Sequence, residues 1–82
     1  MEVFLLPQAV EDLDEFYEPL RSEILSRLEV LAEFPSIGIA MCAEFSGYRC
    51  LIFSPLVRAV YTVRGEKVLV AYIRHTSRKV KK

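Results

Sequence analysis

The chain has 82 residues, 52% of them hydrophobic, and its 11 basic and 11 acidic side chains cancel to a formal charge of zero. That length makes one domain, 1–82, and the apolar share excludes a disordered polar chain. No apolar run of about 18 residues and no signal-like opening is present, so no membrane span is expected and the cytoplasm is the expected compartment.

From the start, Val3-Phe4-Leu5-Leu6 reads as a buried strand stopped by Pro7. From Gln8 the apolar period lengthens. Ala9, Leu13, Phe16, Tyr17 and Leu20 share one helical face, with Glu11, Asp12, Asp14, Glu15 and Glu18 around them. Pro19 marks a break or the first turn of a second helix. The second stripe is Leu20, Ile24, Leu28 and Leu31, flanked by Leu25 and Ala32 and ended by Pro35 and Gly38. Two amphipathic helices with almost no linker predict an antiparallel helical hairpin.

The remainder reads as strands. The first runs from Glu44 to Phe53, with Gly47 as a bulge or bend. Ser54-Pro55 is a turn and Val57–Val63 a β-branched, aromatic strand. Arg64-Gly65-Glu66-Lys67 is a tight hairpin in which Gly65 supplies positive φ. Val68–Arg74 is the last strand, followed by a basic tail, Arg78–Lys82, whose end at 79–82 is expected to fray. The pattern β-α-α-β-β-β predicts an α+β fold, an antiparallel sheet with a two-helix hairpin on one face. Cys42, Cys50 and one histidine match neither a disulfide framework nor a zinc spacing, so free thiols and no cofactor are expected.

The zero net charge hides a segregation. Residues 1–48 hold ten carboxylates against Arg21 and Arg27, whereas residues 49–82 hold nine cations against Glu66 alone. A fold that keeps these halves apart has one surface that attracts polyanions or an acidic partner. Strand alternation narrows the surface. Val57, Ala59, Tyr61 and Val63 share one face and Arg58, Val60, Thr62 and Arg64 the other. In the neighbouring strands Arg49, Leu51 and Phe53 alternate with Tyr48, Cys50 and Ile52, and Leu69, Ala71, Ile73 and His75 with Val70, Tyr72 and Arg74. With the helices over Val57, Ala59 and Tyr61, the expectation is that Arg49, Arg58 and one of Arg74 or His75 converge on the open face as a phosphate-sized site. The bland alternatives are a solvated or ion-paired Arg58, ordinary hairpin-tip charges at Arg64 and Lys67, and a packing role for His75.

Several of these segments together resemble the RelE/ParE superfamily of bacterial type II toxin–antitoxin toxins. They are the strand ending at Pro7, Ala9-x-x-Asp12-Leu13, Leu31-x-x-x-Pro35-x-x-Gly38, Gly47-Tyr48-Arg49, Arg58-Ala59-Val60-Tyr61-Thr62-Val63, and Val70 through Arg78 with Ile73-Arg74-His75 at its centre. The resemblance spans about the whole chain. It implies a toxin neutralised by a cognate antitoxin, with a homodimer in the antitoxin's absence as a further expectation. RelE-like members cut mRNA in the ribosomal A site; ParE-like members poison DNA gyrase and cut no RNA. The resemblance places Arg49, Arg58, His75 and Arg78 where the ribonucleases keep a catalytic basic cluster, with Arg74, Lys79, Lys81 and Lys82 as target-binding cations.

Chemistry constrains the choice. Metal-free RNA cleavage needs a base for the 2′-OH, charge stabilisation and an acid for the leaving oxygen. Arginine stays protonated, so His75 is the first candidate for proton transfer and Glu44 the second. Two departures from the RelE pattern count against cleavage: the strand at 48–53 has no lysine, and no tyrosine follows the last strand. The leading expectation is ribosome-dependent mRNA cleavage, the alternatives being a non-enzymatic gyrase inhibitor and a weakly toxic protein that serves as an antitoxin-binding partner.

Overall fold

The computed structural model describes residues 1–54 and 57–75. Strand β1, Glu2–Leu5, leads directly into helix α1, Pro7–Asp14. Pro7 accounts for both events. Its ring holds the preceding Leu6 extended (φ −70°, ψ 162°), and its missing N–H costs nothing in a helical first turn. Helix α2, Leu20–Glu29, follows Pro19 and continues as a 3-10 turn, Val30–Ala32. Glu18 accepts a hydrogen bond from the free N–H of Ser22 at 3.2 Å, and Glu23 and Arg27 lie at the helix ends that favour their charges. The rest is β2, Ile39–Ala40, a 3-10 turn at Ala43–Phe45, β3, Tyr48–Ser54, β4, Val57–Arg64, and β5, Lys67–His75.

The five strands form one sheet in the order β1-β5-β4-β3-β2. The α+β architecture is the expected one, but the sheet is mixed. β1 enters the far edge and runs parallel to β5, Val3 beside Val68 and Leu5 beside Val70, while the other neighbours are antiparallel. Order along the chain does not reveal which edge a first strand joins.

Ala9, Leu13 and Phe16 with Ile24, Leu28 and Leu31 form the buried helix layer, packed on Val57, Ala59, Tyr61, Val68, Val70 and Ile73. Both expected stripes therefore face the sheet, with one correction. Helix α1 ends at Asp14, so Phe16 turns in by its own loop while Tyr17 is 85% exposed, outside the stripe assigned to it. The helices are joined by residues 15–19 rather than directly.

Two irregularities re-aim side chains. In β5 the register with β4 slips after Val60/Tyr72, so that Tyr61 pairs with Val70 and Ala71 is the extra residue. The helix-side set of β5 is thus Val68, Val70, Ile73 and the half-buried His75, not the unbroken alternation through Leu69 and Ala71. Gly47 (φ 94°) bends the chain into β3, and Gly65 (φ 62°) takes the left-handed position of the β4–β5 hairpin as expected. Cys50 is buried and Cys42 exposed, both as free thiols. No helix among the described residues is long and apolar enough to cross a membrane.

Candidate target-binding face

Register decides which cations meet. Arg58 pairs directly with Arg74 across β4 and β5, and with Ile52 across β4 and β3. Paired residues point to the same face, so Arg58, Arg74 and Ile52 stand together on the side away from the helices. Tyr72 and Val60 are the next pair along that face, with Cys50 and then Ile39 beside Val60. Like charges opposite each other oppose the sheet by about 0.2–1 kcal/mol, so this pairing is not explained by stability. No carboxylate among the described residues pairs with Arg58.

Arg74 is held from two sides. Its guanidinium carbon lies 4.4 Å from the centre of the Tyr72 ring, a cation–π contact. Its Nη1 donates to Asp12 Oδ2 of α1 at 3.3 Å. The same oxygen accepts the backbone N–H of Ile73 at 3.0 Å, and Oδ1 accepts Gln8 Nε2 at 2.9 Å. The local fold explains this position. The paired register of β1 with β5 ends at Leu5 and Val70, which leaves the β5 edge open where α1 crosses it. Asp12 caps that edge.

Arg49 is elsewhere, which corrects the expected convergence. It pairs with Tyr61, so it points to the helix side of the sheet. There its Nη1 donates to the carbonyls of Gly38 at 2.8 Å and Ser36 at 3.3 Å. The Tyr61 hydroxyl donates to Pro35 O at 2.7 Å and accepts the Gly38 N–H at 2.9 Å. A Cβ on Gly38 would stand 2.7 Å from that hydroxyl and 3.0 Å from Cys50 O. Pro35, Gly38, Arg49 and Tyr61 are therefore one tether that fixes the loop before β2 onto the sheet. Burial raises the Tyr61 pKa, against the lowering effect of the Gly38 hydrogen bond.

His75 is also on the helix side, paired with Val57, and its ring centre lies 5.7 Å from that of Phe16. Of the two residues expected as alternatives for the open face, Arg74 occupies it. Burial raises the Cys50 thiol pKa and the nearby Arg58 charge lowers it, with burial prevailing. Arg78, Lys79, Lys81 and Lys82 lie outside the described residues, as does the turn proposed at Pro55.

Sequence reasoning gave Asp12 no role and missed the apolar rim, where Ile52 is 52% and Ile39 64% exposed. A signal for Asp12 was present. It is three residues after Ala9 and one before Leu13, on the inward side of α1, where an uncompensated carboxylate is disfavoured. A buried tyrosine hydroxyl likewise requires a partner, which points to the Tyr61 tether.

The face as built is a pair of arginines, an aromatic ring and exposed aliphatic side chains on one side of a sheet, with the helix layer across it and Asp12 of α1 reaching Arg74 at the β5 edge. Similar folds are found among solved toxin structures. The RelBE2 toxin–antitoxin complex of Mycobacterium tuberculosis matches with TM-score 0.82 and 18% identity, over 90% of this chain and 95% of the other. The YoeB/ParE toxin of Agrobacterium tumefaciens matches at 0.78 and 17%, over 92% and 98%. The chromosomal ParDE system of P. aeruginosa matches at 0.77 and 19%, over 92% and 95%. These identities show a shared fold. No curated protein sequence matches the chain. A family profile described as the ParE toxin of the type II toxin–antitoxin system parDE covers residues 3–80. The chain therefore belongs to the ParE toxin family, within the RelE/ParE superfamily of type II toxins.

Proposed function

We propose that the chain is the toxic member of a toxin–antitoxin pair and acts by binding a macromolecular target through the open sheet face, without cutting RNA itself. The observation that carries this reading is the composition of the face. Arg74 lies over the Tyr72 ring and its partner Arg58 pairs with the exposed Ile52, a mixture of arginine, aromatic and aliphatic surface typical of protein–protein anchors. Cleavage needs a proton-transfer group beside the phosphate. His75 is on the other side of the sheet against Phe16, Glu44 lies in the 3-10 turn before β3, and both oxygens of Asp12, the carboxylate at Arg74, are already engaged. DNA gyrase is the target that kinship with ParE-like toxins suggests. The neutralising partner is a cognate antitoxin that is acidic where it covers the two arginines.

A second reading is ribosome-dependent mRNA cleavage. It is favoured by the direct pairing of Arg58 with Arg74, which puts two arginine side chains on one face within reach of a single phosphate. One experiment separates the two. The purified chain is added in parallel to a gyrase supercoiling assay and to a translating extract in which mRNA ends are mapped. Loss of supercoiling with intact mRNA is expected. Cut mRNA with normal supercoiling would replace the first reading with the second, and no effect in either assay would overturn both.

A further inference from the structure

We propose that Asp12 sets the anion affinity of the open face by acting as an internal competitor for Arg74. The proposal rests on the reading of that face as the target-binding surface and adds a control element to it.

First, Asp12 contacts the Arg58–Arg74 pair through Nη1 of Arg74. Second, it is fixed. Its side chain is only 11% exposed, and its oxygens accept from Gln8 and from the Ile73 backbone N–H as well as from Arg74. Third, the hold on Arg74 is weak and releasable. It is a single contact at 3.3 Å to a guanidinium that is 50% exposed, in the class of ion pairs with little net strength. An incoming anion therefore meets Arg58 unpaired among the described residues, and Arg74 already shared with a carboxylate that cannot leave. A ligand that only tracks positive charge gains less from Arg74 than from Arg58. A ligand with an anion placed to draw Arg74 off Asp12 gains from both. Asp12 is thus a specificity-determining residue that acts through Arg74.

The test uses the whole chain and a fluorescent thymidine oligonucleotide as a polyanion probe, titrated at several salt concentrations. Asp12→Asn leaves an oxygen to accept the Ile73 N–H and removes the charge. It is expected to tighten binding about three- to fivefold at low salt, because Arg74 no longer has to leave an ion pair of the exposed class to meet the anion. The slope of log affinity against log salt is expected to steepen by about 0.7, one more phosphate contact on a single strand. In an Arg74→Ala background the same substitution is expected to change binding less than about 1.5-fold. A purely structural Asp12 would move the melting temperature but not this Arg74-dependent term.

No tightening in Asp12→Asn, or equal tightening with and without Arg74, overturns the proposal. A failure of the underlying reading looks different: neither Arg58→Ala nor Arg74→Ala then weakens probe binding at all. Should Asp12→Asn fold poorly, Gln8→Glu on the exposed α1 surface takes its place. It adds a carboxylate beside Asp12 and is expected to weaken binding about twofold with Arg74 present and by less in the Arg74→Ala background; the same change in both, or none, also overturns the proposal.

Discussion

Arg49 and Arg58 are on neighbouring strands of one sheet, and the pleat gives them opposite work. On the helix side, Arg49 donates to two backbone carbonyls and, with Tyr61, ties the loop at Pro35–Gly38 to the sheet. On the open side, Arg58 faces a second arginine and has no carboxylate partner among the described residues. One guanidinium completes the fold, and on the proposed reading the other serves a ligand. A shared residue type within a basic half of the sequence is therefore no guide to role. Face and backbone partner are.

The comparison predicts that damage to the tether unfolds the protein while damage to the open face leaves it folded. The largest effect is expected from Gly38→Ala. Its methyl group would have to displace the Tyr61 ring and the Cys50 carbonyl, an overpacking of about 2–3 kcal/mol visible in chemical denaturation. Tyr61→Phe comes next. It leaves the buried Gly38 N–H without its acceptor and should lower stability by about 1–3 kcal/mol.

Tyr61→Phe also has a pH signature. Burial raises the Tyr61 pKa in the folded state, so the folded chain keeps its proton at a pH where the unfolded chain has lost it. The stabilisation is fully present below the unfolded pKa, about 10, and is lost as pH rises through the folded value. Denaturation midpoints of the wild type should therefore fall more steeply above about pH 10 than those of Tyr61→Phe. Equal slopes would separate the hydroxyl from the alkaline loss. The Cys50 thiol shifts in the same direction, so Cys50→Ala should remove a part of the decline that begins nearer pH 8.5–9, an approximate onset taken from the ordinary thiol range.

The smallest stability effects sharpen the contrast most. Arg49→Ala should cost about 1–2 kcal/mol through its two carbonyl hydrogen bonds. Arg58→Ala should stay within about 0.5 kcal/mol of the wild type, or become slightly more stable as the repulsion from Arg74 is relieved. If the two substitutions lowered stability equally, the division of labour between the faces would be wrong.

Much of this was legible in the chain. Pro7 separates β1 from α1, the i, i+4 stripes name the buried residues of both helices, and Gly65 places the last hairpin. The alternation in β3 and β4 sorted Arg49 and Arg58 into sets, and the family resemblance singles out Pro35, Gly38 and Tyr61 without showing that they form one tether. What alternation within one strand cannot supply is register between strands. Whether Arg49 stands beside Tyr61 or beside Val60 decides its face, and that depends on where the turns set the pairing. The extra residue at Ala71 is likewise silent in sequence, because no glycine or proline marks it, yet it puts Val70 in the core and keeps Arg74 on the open face. The parallel entry of β1 is a contact between chain ends, which local patterns do not encode. The charge segregation survives in a narrower form, with the acidic residues mainly on the helix layer and two arginines, rather than a general basic half, at the candidate site.

The central claim is that the Arg58–Arg74 face is the working surface of a stably folded toxin. It is tested most directly by inducing wild type and the Arg58→Ala/Arg74→Ala double variant to equal soluble levels in growing cells, with melting curves of both purified proteins. The account expects arrest by the wild type, growth with the double variant, and midpoints within about 3 °C of each other. Undiminished arrest by the double variant would contradict it.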